Sequence, residues 1–226
     1  MINPLNAIKL SLIVSSCSTI LSAPLAIWLG WLMAKKNFKL KFMVSSLLFV
    51  PLVLPPVLIG FLLLSIFSRN NFLGLALEQI GISIPFTILG AIIASMVVGF
   101  PIYVMFIRNS FENIDPQLEE MASILGYSPK KVFFKFTLPL AFPGILAGSI
   151  IAFARSIGEF GATILIAGNM EGKTRTISLA LYSLFDLPDS EKESFLLIIV
   201  SLIIAILSLC LFEFFNRWHK KRMGRQ

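Results

Sequence analysis

The stretch DPQLEEMASILGYSPKKVFFKFTLP, residues 115–139, is an organised polar segment between strongly apolar parts of the chain. Asp115 can cap the free amides at a helix start, and Pro116 fits the first helical position. The pair therefore predicts a helix over 117–125, and Gly126 suits its left-handed end. A simple connection between two membrane-crossing helices would need no such order, so this segment is the main guide to the fold.

A second short helix follows in the same segment. Ser128 and Pro129 repeat the start signal, and Pro139 predicts the end of the helix because proline lacks an amide hydrogen. With its flanks, this polar loop covers about 108–140. The first helix bears acidic, small and apolar residues, namely Leu118, Glu119, Glu120, Met121, Ala122, Ser123 and Leu125. Such a surface favours docking into a groove of another protein. The alternative is a helix resting on the membrane surface, but helices of that kind prefer Lys and Arg.

The rest of the chain is dominated by apolar residues. The 226 residues are 57% hydrophobic and 14% charged, whereas an average soluble domain is about 45–50% apolar and about 25% charged. This composition excludes a disordered chain and argues against a soluble enzyme. The sequence predicts an all-α integral membrane protein with a single membrane domain over 1–226.

Five apolar runs are long enough to cross a hydrocarbon core of about 30 Å, which needs about 20 residues. They cover about 8–34, 42–67, 84–107, 141–167 and 194–216. Positively charged residues are enriched in cytoplasmic segments. With the N-terminus outside, 13 of the 19 Lys and Arg residues lie in inner segments and Arg155 lies within the membrane. The outer segments hold Lys9, Arg69, Lys173, Arg175 and Lys192. The sequence therefore predicts an N-out, C-in topology with the polar loop in the cytoplasm, and the net charge of +7 needs no nucleic-acid partner.

The polar loop has the spacing E-M-A, three residues, G, nine residues, F-T-L-P over 120–139. This spacing resembles the EAA loop of type I ABC importer permeases, whose pattern is E-A-A-x₃-G-x₉-I-x-L-P. Met121 and Phe136 replace Ala and Ile and keep the apolar character. The stretch FARSIGEFGAT at 153–163 is similar to molybdate and sulfate permeases, and PLVLPPV at 51–57 and KTRTI at 173–177 are similar to the molybdate branch in particular.

The resemblance implies a type I ABC importer permease fold, with five or so transmembrane helices, in the lipid of a bacterial cytoplasmic membrane. It also implies a homodimer that works with two ATPase subunits and an extracytoplasmic molybdate-binding protein. ATP and Mg would bind to the ATPase, so this chain is expected to hold no cofactor. The residues expected to couple the permease to the ATPase are Glu119, Glu120, Met121, Ala122 and Gly126, with Leu138 and Pro139 fixing the return to the membrane.

Two charges lie in the fourth predicted span, Arg155 and Glu159. Each would cost about 2.5–3.5 kcal/mol at the bilayer centre, so both should face protein or water. Their i, i+4 spacing puts them on one face of a helix. One interpretation is an ion pair that locks the bundle; the other is that Arg155 and Ser156 line an anion path, with Glu159 holding Arg155 in place.

Proline and glycine residues mark special points in two spans. Pro51, Pro55 and Pro56 remove amide donors from the second span and predict a kink there, either a gate or a packing feature. Gly144 and Gly148 form a small-xxx-small pair that lets helices pack closely. That pair is consistent with packing inside one subunit and with a dimer contact.

Catalytic chemistry is not expected in this chain. The stretch 167–174 resembles a P-loop, but Ala167 stands at the first glycine position and no strand precedes it. The sequence contains neither a nucleophile–base pair nor a metal-ligand cluster. A secondary transporter is the alternative from another class, but such proteins show inverted repeats and more ionisable groups in the membrane. Within the ABC class, tungstate or sulfate is the alternative substrate.

Overall fold

The computed structural model describes residues 3–185, 187 and 190–222, with side chains described as far as Trp218. All regular secondary structure among the described residues is helical, and none of them forms a strand. In chain order the helices are α1 (Pro4–Lys35), α2 (Lys41–Val53), α3 (Pro56–Phe67), α4 (Phe72–Gln79), α5 (Ile88–Glu112), α6 (Pro116–Ile124), α7 (Pro129–Val132), a π-helical turn (Phe133–Thr137), α8 (Leu138–Ile157), α9 (Gly161–Ile166), α10 (Ile177–Phe185) and α11 (Glu191–Arg222). The predicted all-α class is confirmed.

The described part of the chain has four helices long and apolar enough to cross a membrane, and five if one bent pair counts as a span. The four are α1, α5, α11 as far as Trp218, and a long helix over Pro129–Ile157 that joins α7, the π-helical turn and α8. The bent pair is α2 and α3. The predicted number of spans is therefore confirmed.

The fourth span lies elsewhere than predicted. The sequence predicted a helix over 141–167 and an end to the preceding short helix at Pro139. In the structure the long helix Pro129–Ile157 runs through Pro139 and stops before the predicted end, so both predictions are wrong. At the π-helical turn the Leu138 amide donates to the carbonyl of Phe133, five residues back. This wider turn makes room for the proline ring, which would clash with a carbonyl in a regular α-helix.

The second span is interrupted rather than kinked. The Leu54 amide still donates to Val50, but Leu54 and Pro55 are extended and a new helix starts at Pro56. The axes of α2 and α3 differ by 110°. Pro51 lies inside α2 without ending it. Two consecutive prolines explain the break, because neither offers an amide to continue the helical hydrogen bonds.

Helices α1, α5 and α8 form the central bundle. Ala26 of α1, Tyr103 and Ile107 of α5 and Ile145 of α8 are buried together in its core. A side chain at Gly148 would lie 3.0 Å from the Cβ of Phe106, so this glycine allows α8 to approach α5 within one chain. Packing inside a subunit is thus the role that the structure gives to Gly148.

A second close contact joins α3 to α9. A Cβ atom at Gly60 would lie 2.6 Å from the backbone oxygen of Ala162, and one at Gly161 would lie 3.0 Å from the Cβ of Pro56. Bare backbone on both helices is needed for this approach. The start of α9 is therefore fixed against the start of α3, immediately after the break in the second span.

We expect Gly60→Ala to destabilise the protein. The added methyl group meets backbone atoms of Ala162, which cannot rotate away, and overpacking of this kind costs about 1–3 kcal/mol. Gly158→Ala is the matched control, because its Cβ would find its nearest neighbour at 3.9 Å. Melting temperatures in detergent, followed by tryptophan fluorescence, measure the difference. A Gly60→Ala protein as stable as Gly158→Ala would contradict the close contact between α3 and α9.

Candidate functional site

The polar loop begins with the helix that the sequence predicted. The Asp115 carboxylate accepts a hydrogen bond from the Gln117 amide at 2.9 Å and caps α6. Gly126 has a φ of +82°, and its amide donates to the carbonyl of Ser123. Pro116 occupies the start of the helix. A cap at one end and a left-handed glycine at the other make α6 a short helix with defined ends.

One side of α6 is apolar and open to the surroundings. Ile124 is 84% exposed and Met121 and Leu125 are also exposed, as is the acidic Glu120. Ala122 is only 3% exposed and faces a groove of about 450 Å³ that also contacts Phe136 and Pro139. Of the predicted coupling residues, the structure thus places Glu120, Met121, Gly126 and Pro139 outward and Ala122 inward.

Glu119 faces the protein. Its carboxylate lies 3.0 Å from the Lys35 ammonium at the end of α1 and accepts a hydrogen bond from the Thr137 hydroxyl at 2.6 Å. The sequence analysis grouped Glu119 with Glu120 and gave neither Lys35 nor Thr137 a role in the loop. No local signal marks these partners, because they are 84 and 18 positions away along the chain.

Arg155 and Glu159 form the ion pair that their spacing predicted, with 2.9 Å between Nη1 and Oε2. The other carboxylate oxygen of Glu159 accepts from the Ala162 amide at 2.9 Å. Glu159 is 3% exposed, whereas the Arg155 side chain is 34% exposed. Glu159 therefore links the end of α8 to the start of α9 and orients an arginine that keeps access to its surroundings.

Arg155 and Glu159 lie at the end of a helix and not within a continuous span. Both charges were predicted to lie inside a continuous span. Instead Arg155 lies in the last turn of α8 and Glu159 lies in the link between α8 and α9. Gly158 ends α8, and α9 begins only at Gly161. The fourth span therefore ends at Ile157, and α9 is a separate short helix that follows it after a break at 158–160.

Ser156 lies on a different side from Arg155. It is buried, and its hydroxyl accepts a hydrogen bond from the Ser18 hydroxyl of α1 at 3.2 Å. Ser156 therefore belongs to the interface between α1 and α8, and the hydroxyl groups of Thr19 and Ser22 of α1 lie near it. Small polar residues at helical spacing in an apolar span are the signal that could have revealed this interface.

The break between α2 and α3 and the break between α8 and α9 meet in space. Pro56 follows one break and Gly161 follows the other, and these two residues are in close contact. In the sequence, the prolines of the second span and the pair of Arg155 with Glu159 are far apart and gave separate predictions. The structure unites them in one region, where α3 and α9 start side by side and Arg155 is held by Glu159.

The P-loop-like stretch is a folded loop of a different kind. The buried Thr174 hydroxyl donates to the Gly168 carbonyl and accepts from the Met170 amide. The Arg175 guanidinium bonds Asn169 in the same loop. These groups bond one another around the loop and form no phosphate cradle. Among the described residues no group of three His, Cys, Asp or Glu is placed to hold a metal ion.

A family model described as "Binding-protein-dependent transport system inner membrane component" matches residues 26–225. The chain belongs to this family. It is therefore a transport subunit and a multi-pass protein of the bacterial inner membrane.

Relatives with high identity cover nearly the whole chain. The molybdenum transport system permease protein ModB of Haemophilus influenzae is 46% identical over 98% of this chain and 97% of its own length. The ModB protein of Escherichia coli K12 is 43% identical over 97% of this chain and 96% of its own length. A more distant relative, the sulfate transport system permease protein CysT of Salmonella typhimurium, is 31% identical over 88% and 73%.

Solved structures share the fold at low identity. The methionine ABC transporter MetNI in inward-facing conformations matches with a TM-score of 0.67 and 15% identity, over 96% of this chain and 94% of the other. A bacterial alginate ABC transporter matches with a TM-score of 0.70 and 18% identity, over 98% and 80%. The predicted ABC importer permease fold is confirmed.

We expect Glu159→Ala to lower the free energy of unfolding of this permease by about 1–3 kcal/mol. The change leaves the Ala162 amide and the half-buried Arg155 without their acceptor, and unpaired buried groups are costly. Glu78→Ala is the control, because its pair with Arg69 is exposed and such pairs contribute at most about 1 kcal/mol. Thermal melting in detergent compares the two. Equal effects would show that Glu159 has no special structural role.

Proposed function

We propose that this chain forms the translocation pathway of an ATP-driven molybdate importer and is coupled by α6 to a separate ATPase subunit. The observation that carries the proposal is α6 itself. It is capped by Asp115, ended by Gly126 and exposes Glu120, Met121 and Ile124. A short helix with fixed ends and an apolar outer surface suits docking into a protein groove.

The topology follows from charge. We infer that the N-terminus is outside and that the polar loop and the C-terminus face the cytoplasm, because this arrangement puts most Lys and Arg residues inside. Lys130 and Lys131 of α7 lie beside α6 and favour the same side. The proposed docking helix then faces the compartment that holds ATP. ATP and Mg would bind to the ATPase partner, and this chain would bind neither.

We infer that two copies of the chain enclose the pathway, with an Arg155 from each. A dianion in a low-dielectric region needs positive charge and hydrogen-bond donors. Arg155 supplies both, and Glu159 orients it while lowering the local net charge, which favours weak binding and release. Selectivity would then come from an extracytoplasmic binding protein that delivers the oxyanion.

The break between α2 and α3 and the break between α8 and α9 offer a place for gating. Helices α3 and α9 start side by side just beyond their breaks. The break at Leu54 and Pro55 and the one at Gly158 would let this pair move relative to α2 and α8. ATP-driven closure of two ATPase subunits would displace the two α6 helices and shift the pathway between inward- and outward-facing states.

Molybdate is favoured over sulfate as the substrate by the degree of similarity. The molybdenum permeases are 46% and 43% identical, and the sulfate permease is 31% identical over a smaller share. Tungstate has the same charge and tetrahedral shape as molybdate and nearly the same size, whereas sulfate is a smaller tetrahedral dianion. Tungstate is therefore the second candidate for the same machine.

We expect Ile124→Asp and Met121→Asp to abolish co-purification of the ATPase. A buried carboxylate without a partner costs several kcal/mol, so each change would weaken docking by a factor of about 100 or more. Met121→Leu keeps an apolar side chain of similar volume and serves as the control. The ratio of ATPase to permease after affinity purification measures the effect. Undiminished ATPase in both Asp variants would refute docking through α6.

We expect uptake of labelled molybdate to be blocked by tungstate and not by sulfate. The assay uses cells that lack their own molybdate system and express this chain with the ATPase and binding protein of its own transport system. When labelled molybdate is saturating, a competitor with equal affinity in about tenfold excess lowers uptake about tenfold. Equal competition by sulfate would refute the preference for molybdate and leave the importer itself in place.

A further inference from the structure

The Glu119 carboxylate joins three structural elements at one point. Glu119 lies in α6, Lys35 in the last turn of α1, and Thr137 at the end of the π-helical turn. One oxygen pairs with the Lys35 ammonium at 3.0 Å and the other accepts from the Thr137 hydroxyl at 2.6 Å. Both oxygens are therefore engaged by residues of other helices.

The partners are shielded from solvent. The side chains of Lys35 and Glu119 are 15% and 24% exposed, and Thr137 is 1% exposed. A charge-assisted hydrogen bond is stronger than a neutral one, and shielding lessens the screening of an ion pair by salt. This cluster therefore differs from the exposed pairs on the surface of the molecule, such as Arg69 with Glu78.

Lys35 holds the polar loop at a second point. Its ammonium also donates to the Ile114 carbonyl at 3.2 Å, in the short link between α5 and α6. Ile114 itself is buried in the core of the central bundle. Lys35 thus fixes both the link before α6 and the first turn of α6 to the end of α1.

Thr137 connects the same carboxylate to the long helix Pro129–Ile157. It ends the π-helical turn and leads directly into α8, whose last turn carries Arg155. Because one helix extends from Pro129 to Ile157, a displacement at Thr137 is passed along α8 toward the break between α8 and α9.

We propose that Glu119 is a positioning residue that transmits movement of α6 to α1 and α8. The inference rests on the function proposed above and assigns different tasks to two neighbouring carboxylates. Glu120 faces outward, where an ATPase would bind, and Glu119 faces inward and fixes α6 to two spans. Without the Glu119 cluster, a movement of α6 would be absorbed by its flanking links at Ile114 and Gly126.

The test uses the whole transporter, with its ATPase and binding protein, in proteoliposomes. The readout is the number of ATP molecules hydrolysed per molybdate ion transported. We expect this ratio to rise at least about threefold in Glu119→Gln, Lys35→Met and Thr137→Val, because hydrolysis continues while the movement is lost. A purely structural role would lower the yield of transporter and leave the ratio unchanged.

Matched variants separate charge and hydrogen bonding from packing. Thr137→Ser keeps the hydroxyl and should retain the wild-type ratio. The double variant Lys35→Glu with Glu119→Lys restores an ion pair of opposite sense and should recover part of the coupling. Glu112→Gln is the control for a lost charge, because Glu112 pairs with Arg108 on the same helix, one turn away. It should leave the ratio unchanged.

The possible results distinguish a failure of the role proposed for Glu119 from a failure of the proposed function. Wild-type ratios in all three single variants would overturn the role of Glu119. Loss of the ATPase from purified Glu119→Gln would also overturn it, by making Glu119 a docking contact, while docking through α6 would stand. A wild-type chain that retains no ATPase would refute the proposed function itself. If Glu119→Gln aggregates during size-exclusion chromatography, the comparison of Thr137→Val with Thr137→Ser decides the question.

Discussion

Backbone amides and carbonyls inside a bilayer must find hydrogen-bond partners within the protein, and the architecture of this permease depends on that constraint. Continuous helices satisfy it in α1, α5, α11 and the long helix Pro129–Ile157. The second span is interrupted instead, and a further break separates the long helix from α9; each break is stabilised locally. The Leu54 amide donates to Val50 before the prolines, and the Glu159 carboxylate accepts from the start of α9. The breaks are thus ordered features, and they lie where α3 and α9 pack backbone to backbone.

The long helix connects the two regions of interest. Near its N-terminal end, beside α6, Thr137 donates a hydrogen bond to Glu119. Its other end carries Arg155, next to the break between α8 and α9. A helix of this length spans about 40 Å, roughly the thickness of a bilayer with its headgroups. A single helix can therefore carry a displacement from one membrane surface toward the other. The π-helical turn lies near the N-terminal end of this long helix and lets the helix continue through Pro139.

Much of the local structure could be predicted from residue chemistry. The start of α6 at Asp115 and Pro116, the left-handed Gly126 and the pairing of Arg155 with Glu159 were all confirmed. Each depends on residues within a few positions of one another. The prediction that Pro139 ends a helix was wrong, because a wider turn removes the clash that the rule assumes. The span predicted over 141–167 was wrong as well, since apolar composition continues across the break at Gly158.

The sequence by itself determined the class of the protein, the number of spans and both ends of α6, because composition, charge and capping act over short distances. Only the tertiary structure decided which way each polar side chain faces. Glu119 and Glu120 are neighbours in sequence, yet one meets Lys35 and Thr137 and the other faces outward. Likewise Arg155 meets Glu159 while Ser156 meets Ser18. Successive residues on a helix point about 100° apart, so their partners come from different helices, and only the packing of those helices brings the partners together.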